Sequence, residues 1–139
     1  MRVSACLIVR DEELYLDGCL SRLVGFADEI IIVDTGSVDR SRDIARYYGA
    51  KVFDIPWVDD FSYVRNISLS HATGDWILYI DADEHFDRHG ADKSCLIDPH
   101  TMAATVSLQA SRTLTPYREL RLFRNRPELR FQSVIHETI

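Results

Sequence analysis

Lysine is nearly missing from this 139-residue chain, occurring only at Lys51 and Lys93. Its 16 basic residues, mostly arginine, face 22 acidic ones, for a net charge of -6. Without a basic stripe, that balance argues against a nucleic-acid partner or an anionic membrane. Cysteine is scarce too. Cys6, Cys19 and Cys95 are odd in number, far apart and in no CxxC arrangement, so neither a disulfide framework nor a zinc site is indicated. No apolar run approaches the roughly 18 residues needed to cross a bilayer, and Met1-Arg2 leads straight into a strand-like run rather than a signal peptide. The expectation is a cytoplasmic chain without an intrinsic membrane span. Internal repeats, low-complexity tracts and a linker are also absent. Residues 1–139 therefore read as one domain, and with 46% hydrophobic residues it can bury an ordinary core.

What is present alternates between two periods. Residues 3–9 (VSACLIV) form a continuous apolar run of strand length, followed by Leu16, Cys19, Leu20, Leu23 and Val24 at helical spacing. Glu29 to Val33 repeats the strand, Ser41 to Tyr48 the helix, with Gly49 at its C-terminus. Lys51 to Phe53 is a short third strand. Asp59 or Asp60 can cap a helix running to about His71, and Gly74 precedes the apolar run from Trp76 to Ile80. Alternating strands and helices call for a parallel sheet whose ligands lie at the carboxyl ends of the strands. Residues 85–100 read as a polar loop with one helical turn. Three further strands are expected at Met102–Ala110, Glu119–Phe123 and Leu129–Ile135, in mixed or antiparallel pairing.

The densest signal is DWILYIDADE, residues 75–84, where a core strand ends in two aspartates. If the strand continued, Asp81 and Asp83 would face the same way, about 6 to 7 Å apart. Such a pair can hold one hard divalent cation, Mg²⁺ or Mn²⁺, that also takes oxygens from a diphosphate. Glu84 adds a third negative charge, which a bound cation would offset. The bland alternative is that these acids solvate a strand end.

Asp34 ends the second strand and opens DTGS, where Gly36 permits a tight turn and Ser37 can cap the next helix. Its carboxylate either accepts hydrogen bonds from a base or ribose or serves that turn alone. Arg65, mid-helix, either faces solvent or points its fork into the cleft toward a diphosphate or base edge. Arg121, Arg124, Arg126 and Arg130 flank the last strands and read mostly as surface residues, and Tyr117 or Phe123 could stack on a ring. His71, His85, His89 and His100 read as surface residues. His136 differs, because it follows an apolar pair and could reach the aspartates as a third ligand.

VSACLIVRDEE, EIIIVDTGSVDRSRDIARYYGAKV, DDFSYVRNISLSHATGDWILYIDADE and RLFRNRPELRFQSVIHE, in that order, resemble the family 2 glycosyltransferases, most closely the bacterial branch in which RLFRN precedes IHE. The resemblance covers nearly the whole chain. It implies a GT-A fold, a Rossmann-like α/β/α sandwich with a mixed, mainly parallel sheet. It also implies inverting, metal-dependent transfer of a sugar from a nucleotide-diphosphate sugar, with UDP as the expected nucleotide. By similarity, Asp34 and Arg65 contact the nucleoside, with Val9, Arg10 and Glu12 closing over the base. Asp81 lies near the ribose or sugar, Asp83 is the metal-contacting member of DAD, His136 is a metal or diphosphate ligand, and Glu137 is the general base. Gly36, Ala82 and Arg124 complete the substrate-binding set. Val38 and Ser133 stand where the family has threonine and glycine, and members usually continue beyond His136-Glu137 into a region covering the acceptor side. Two alternatives stay open: a non-catalytic nucleotide-sugar binding module, and a nucleotidyltransferase. The latter normally carries a Gly-rich basic loop after its first strand, where this chain has RDEE.

Overall fold

The computed structural model describes residues 1–88, 93–134 and 138–139. Its strands are β1 (Val3–Val9), β2 (Glu29–Asp34), β3 (Lys51–Asp54), β4 (Trp76–Tyr79), β5 (Glu84–Phe86), β6 (Ala103–Ala110) and β7 (Pro116–Arg124). Its helices are α1 (Leu16–Leu23), α2 (Ser41–Tyr47) and α3 (Phe61–Ser70), and Lys93–Leu96 forms one 3₁₀ turn. All seven strands share one sheet in the order β3-β2-β1-β4-β7-β6-β5. The first four are parallel, and β7, β6 and β5 add antiparallel pairing. This is the mixed, mainly parallel α/β architecture expected.

The hydrophobic run of β1 is explained by its central place, flanked by β2 and β4 and covered on both faces. Val3, Ala5, Leu7 and Val9 join the buried faces of α1 and α2, whereas Cys6 joins Leu69 of α3, Ile77, Phe123 and Phe131 on the other side. Cys6 and Cys19 are buried free thiols, and burial pushes Cys6 up to about 12, which leaves it unreactive. Asp60 caps α3 by accepting the Tyr63 N–H at 2.9 Å.

Several expectations are corrected. Val24 is half exposed rather than part of the buried stripe, because α1 ends at Leu23 and Val24 turns to an extended conformation. The segment at 85–100 is not all loop: Glu84–Phe86 is a strand whose buried members Glu84 and Phe86 alternate with His85. His85 rests against α1 at Gly18, where a Cβ would meet its Nε2 at 2.7 Å, so it is not a plain surface residue. Of the expected strand at Leu129–Ile135, the described residues form none. Phe131 instead packs its ring against Tyr79 and Phe123, and only Gln132 bridges, to Thr138.

Candidate functional site

A pocket of about 600 Å³ opens at the carboxyl ends of β1 and β4. Its lining combines the apolar Ile8, Val9, Trp57, Phe61 and Ala82 and the hydroxyl-bearing Thr35 with the charged Arg10, Glu12, Arg65, Asp81 and Asp83. The volume lies within the range of small-molecule sites, which typically join apolar walls to a few convergent polar groups.

The wall beside β1 is built by two loops that hold each other. Asp11 N–H donates to Ser37 Oγ, Glu12 N–H to Ser41 Oγ and Glu13 N–H to Asp39, at 2.8 to 3.0 Å. In return Val38 N–H donates to Asp11 and Arg40 N–H to Glu13. Asp11 and Glu13 of RDEE therefore serve as backbone acceptors, while Glu12 lines the pocket. Asp11 takes a positive φ of 51° to do this.

Asp34 lies beneath this seam, 1% exposed. Its Oδ1 accepts the Gly36 and Ser37 N–H groups and the Arg42 guanidinium, the last at 2.9 Å. Gly36 sits at φ +115°, a conformation that favours glycine in this turn. The two sequence readings of Asp34 fall on different atoms: Oδ1 serves the turn, while Oδ2 is buried with no hydrogen-bond partner among the described residues. Such an atom is costly to leave unmet, and a ligand N–H or O–H would satisfy it.

The DAD segment is a turn rather than a continued strand, so alternation is not what relates Asp81 to Asp83. β4 stops at Tyr79, Glu84 N–H donates to the Asp81 carbonyl at 3.1 Å, and Asp81 N–H donates back to the Glu84 carboxylate at 2.9 Å. Both aspartates still line the pocket.

The charge balance of this turn also differs from expectation. Arg65, only 7% exposed, reaches in from α3 and holds Asp81 Oδ1 at 2.8 Å. Arg121 of β7, equally buried, holds Asp81 Oδ2 at 3.5 Å, Glu84 at 2.8 Å and Glu119 at 2.8 Å. Both guanidiniums stack on Tyr79, at 5.4 and 4.6 Å from its ring centre. Two arginines thus offset Asp81 and Glu84. Burial works to raise the Asp81 carboxyl, but Arg65 and then Arg121 hold it below its usual value. At Glu84 burial prevails and the carboxyl is raised, with the Tyr117 hydroxyl donating to it. Glu12 is raised by burial and by the nearby Asp83.

Sequence reasoning missed Arg121, which it took for a surface residue. The available signal was its place in REL-RLF: β7 buries Arg121, Leu122 and Phe123 in succession where it leaves the exposed half of the hairpin. Arg124 is the opposite error. It pairs with Trp76 at the start of β4, the far end from the pocket, stacks on that indole at 4.5 Å and donates to the carbonyls of Leu96, Asp98 and Thr101. It clamps the 96–101 segment and is not among the residues lining this pocket. Tyr117 and Phe123 are likewise engaged, by Glu84 and by the core. His136 and Glu137 lie outside the described residues.

For a divalent cation the fit is partial. Asp83 lines the pocket with a carboxylate that makes no hydrogen bond or ion pair among the described residues, whereas the Asp81 oxygens are held by arginine. Among the described residues no three His, Cys, Asp or Glu side chains form a group that could hold a metal ion. A cation here would rely on Asp83, with diphosphate and water completing its shell.

Residues 4–93 match the family model described as glycosyl transferase family 2. A TPR repeat-containing protein of Synechococcus elongatus is 45% identical over 142 residues, spanning 99% of this chain and 35% of the relative. The SPbeta prophage-derived glycosyltransferase SunS of Bacillus subtilis is 26% identical over 150 residues, spanning 97% of this chain and 34% of its own length. The chain thus spans about a third of the length of these curated relatives. Among solved structures, S. aureus TarS 1–349 in complex with UDP-GlcNAc superposes with a TM-score of 0.65 at 24% identity, over 76% of this chain and 33% of that one. Glucosyl-3-phosphoglycerate synthase from Mycobacterium tuberculosis, in complex with Mn²⁺, UDP and glucosyl-3-phosphoglycerate, gives a TM-score of 0.51 at 28% identity, over 60% and 34%. The fold is GT-A.

Proposed function

This chain belongs to glycosyl transferase family 2, and from that premise we propose that it forms the donor-binding domain of an inverting transferase that moves a sugar from a nucleotide-diphosphate sugar, UDP-linked, to an acceptor hydroxyl. The observation that carries this reading is one pocket at the carboxyl ends of β1 and β4 whose lining joins the apolar Ile8, Val9, Trp57 and Phe61 to the acidic Asp81 and Asp83. The apolar residues suit a nucleobase, and the charged ones the diphosphate and sugar. The UDP complexes of the mycobacterial synthase support a uridine donor.

In this reading Val9, Arg10 and Glu12 close over the base, and the unsatisfied Oδ2 of Asp34 accepts from it or from the ribose. Gly36 keeps the turn that aims Asp34, and Arg65 holds Asp81 for the ribose or sugar hydroxyls. Ala82, between the two aspartates in sequence, lines the same pocket. Asp83, with His136, would hold Mg²⁺ or Mn²⁺, whose chemistry is to stabilise charge on the leaving diphosphate. Glu137 is the proposed general base, taking the proton of the acceptor hydroxyl as it attacks the anomeric carbon from the opposite face. The RLFRN and IHE segments would then serve one site, RLFRN by supplying Arg121. The nucleotidyltransferase alternative gains no support, since the loop after β1 carries Asp11 and Glu13 as acceptors for backbone N–H groups rather than a Gly-rich basic phosphate cradle.

Calorimetric titration of UDP with and without Mn²⁺ tests the reading. Metal-enhanced binding is expected, and Asp83→Ala should remove the enhancement by at least tenfold in affinity without lowering the melting temperature. Metal-independent behaviour in both proteins would overturn the cation's assignment to Asp83. UDP binding without sugar transfer to any supplied acceptor would favour the binding-module alternative.

A further inference from the structure

We propose that Arg121 is a positioning residue: one buried guanidinium, delivered from the antiparallel half of the sheet, sets the Asp81–Glu84 turn in the conformation that receives the donor. The inference rests on the donor-site reading above.

Three observations converge on it. First, the turn belongs to the loop after β4, but its shape is fixed from elsewhere: Arg121 of β7 bonds both Asp81 and Glu84, the residues that open and close it. Second, those two acids are already joined, since Asp81 N–H donates to Glu84, so fixing one carboxylate fixes the other's backbone. Third, the arginine is itself immobilised. Its face lies on Tyr79 at 4.6 Å, and Glu119 accepts from its Nε at 2.9 Å. A planar fork so held presents donors in fixed directions. A second tie from the same hairpin reaches the turn, as Ser111 N–H donates to the Asp83 carbonyl at 2.8 Å.

The charges facing Glu84 make the role testable. Arg121 and Tyr117 approach from β7, Asp81 from the turn and Cys19 from α1, whose thiol donates to the Asp81 carbonyl. Without Arg121, the carboxylates of Asp81 and Glu84 would share Arg65 as the one nearby cation among the described residues, and Arg65 bonds Asp81 of the two. Like charges on one short turn would then push it open. Neutralising Glu84 should restore the turn, because a glutamine keeps its carbonyl oxygen as acceptor for Asp81 N–H and can donate its amide N–H to the Tyr117 oxygen, while Arg65 still balances Asp81.

The experiment measures UDP affinity in Mn²⁺ by calorimetry for wild type, Arg121→Met, Arg121→Lys and Arg121→Met/Glu84→Gln, with circular dichroism confirming the fold of each. Methionine fills much of the arginine's volume without its charge. The expected result is at least a tenfold loss in Arg121→Met, a smaller loss in Arg121→Lys, and recovery to within about threefold of wild type in the double variant. Should Arg121→Met fail to fold, the lysine and double variants carry the test. Wild-type affinity in Arg121→Met or in Arg121→Lys, or a double variant as weak as Arg121→Met, would overturn the inference and leave the donor-site reading standing. Absence of UDP binding in the wild-type protein would overturn both.

Discussion

A guanidinium taken out of water is costly unless its donors are filled, and Arg65 and Arg121 meet that condition by sharing Asp81. Removing one partner is more damaging than never having had the pair, because the remaining charge stays in a poorly solvated place. Arg65→Leu should therefore destabilise the fold by about 2 kcal/mol, less than for a fully buried pair because Asp81 is 36% exposed and keeps Arg121. Urea denaturation read by circular dichroism measures it. An unchanged midpoint would mean that Arg121 alone suffices. The residue scale is also where sequence reading was weakest. Asp34, Asp81, Asp83 and Arg65 could be picked out because strand ends and one helix place them. At Asp34 the turn reading and the ligand reading could not be separated, because the turn uses one oxygen of the carboxylate and leaves the other without a partner among the described residues.

Elements were more legible than side chains. The alternation of strand and helix up to Tyr79 follows from periodicity, and its bounds agree closely with the structure. One failure has a plain cause. Reading residues 85–100 as a loop assumes that polarity reports exposure, whereas β5 runs from Glu84 to Phe86. Here Glu84 is buried because Arg121 and Tyr117 meet it, an event set by a strand some 35 residues further on. No local pattern encodes such a partner. Where elements pass closely, single atoms matter. At Gly74, before β4, a Cβ would lie 2.9 Å from both the Arg2 carbonyl and Ser4 N, and 2.6 Å from Ser4 Oγ. Since two of those neighbours are backbone, Gly74→Ala should cost about 2 kcal/mol, within the range of overpacking. It should show as a lower thermal midpoint, and an equal or higher one would refute the close approach.

For the molecule as a whole, acid is the informative stress. Glu29 joins β2 to three neighbours: Ser4 of β1, Lys51 of β3 and Thr73 before β4. Burial alone would raise its carboxyl, yet the hydrogen bonds from Lys51, Ser4 and Thr73 outweigh it and lower the value from 4.5 to about 2. The unfolded chain therefore binds this proton more readily than the folded one. The stabilisation is fully present above pH 4.5 and is lost as pH falls from there towards 2, with a magnitude on the order of 2 kcal/mol. Urea midpoints at pH 7, 4.5 and 3 should decline less in Glu29→Gln than in wild type. Parallel declines would assign acid sensitivity to other carboxylates.

The reciprocal stitching of RDEE to DTGSVDRS has a practical consequence for anyone who would re-engineer what the cavity accepts. Neither segment can be exchanged alone, since a foreign copy of one would strand the amides and acids of the other. Altered ring preference should be reached by transplanting residues 10–13 and 34–41 together, as a single cassette.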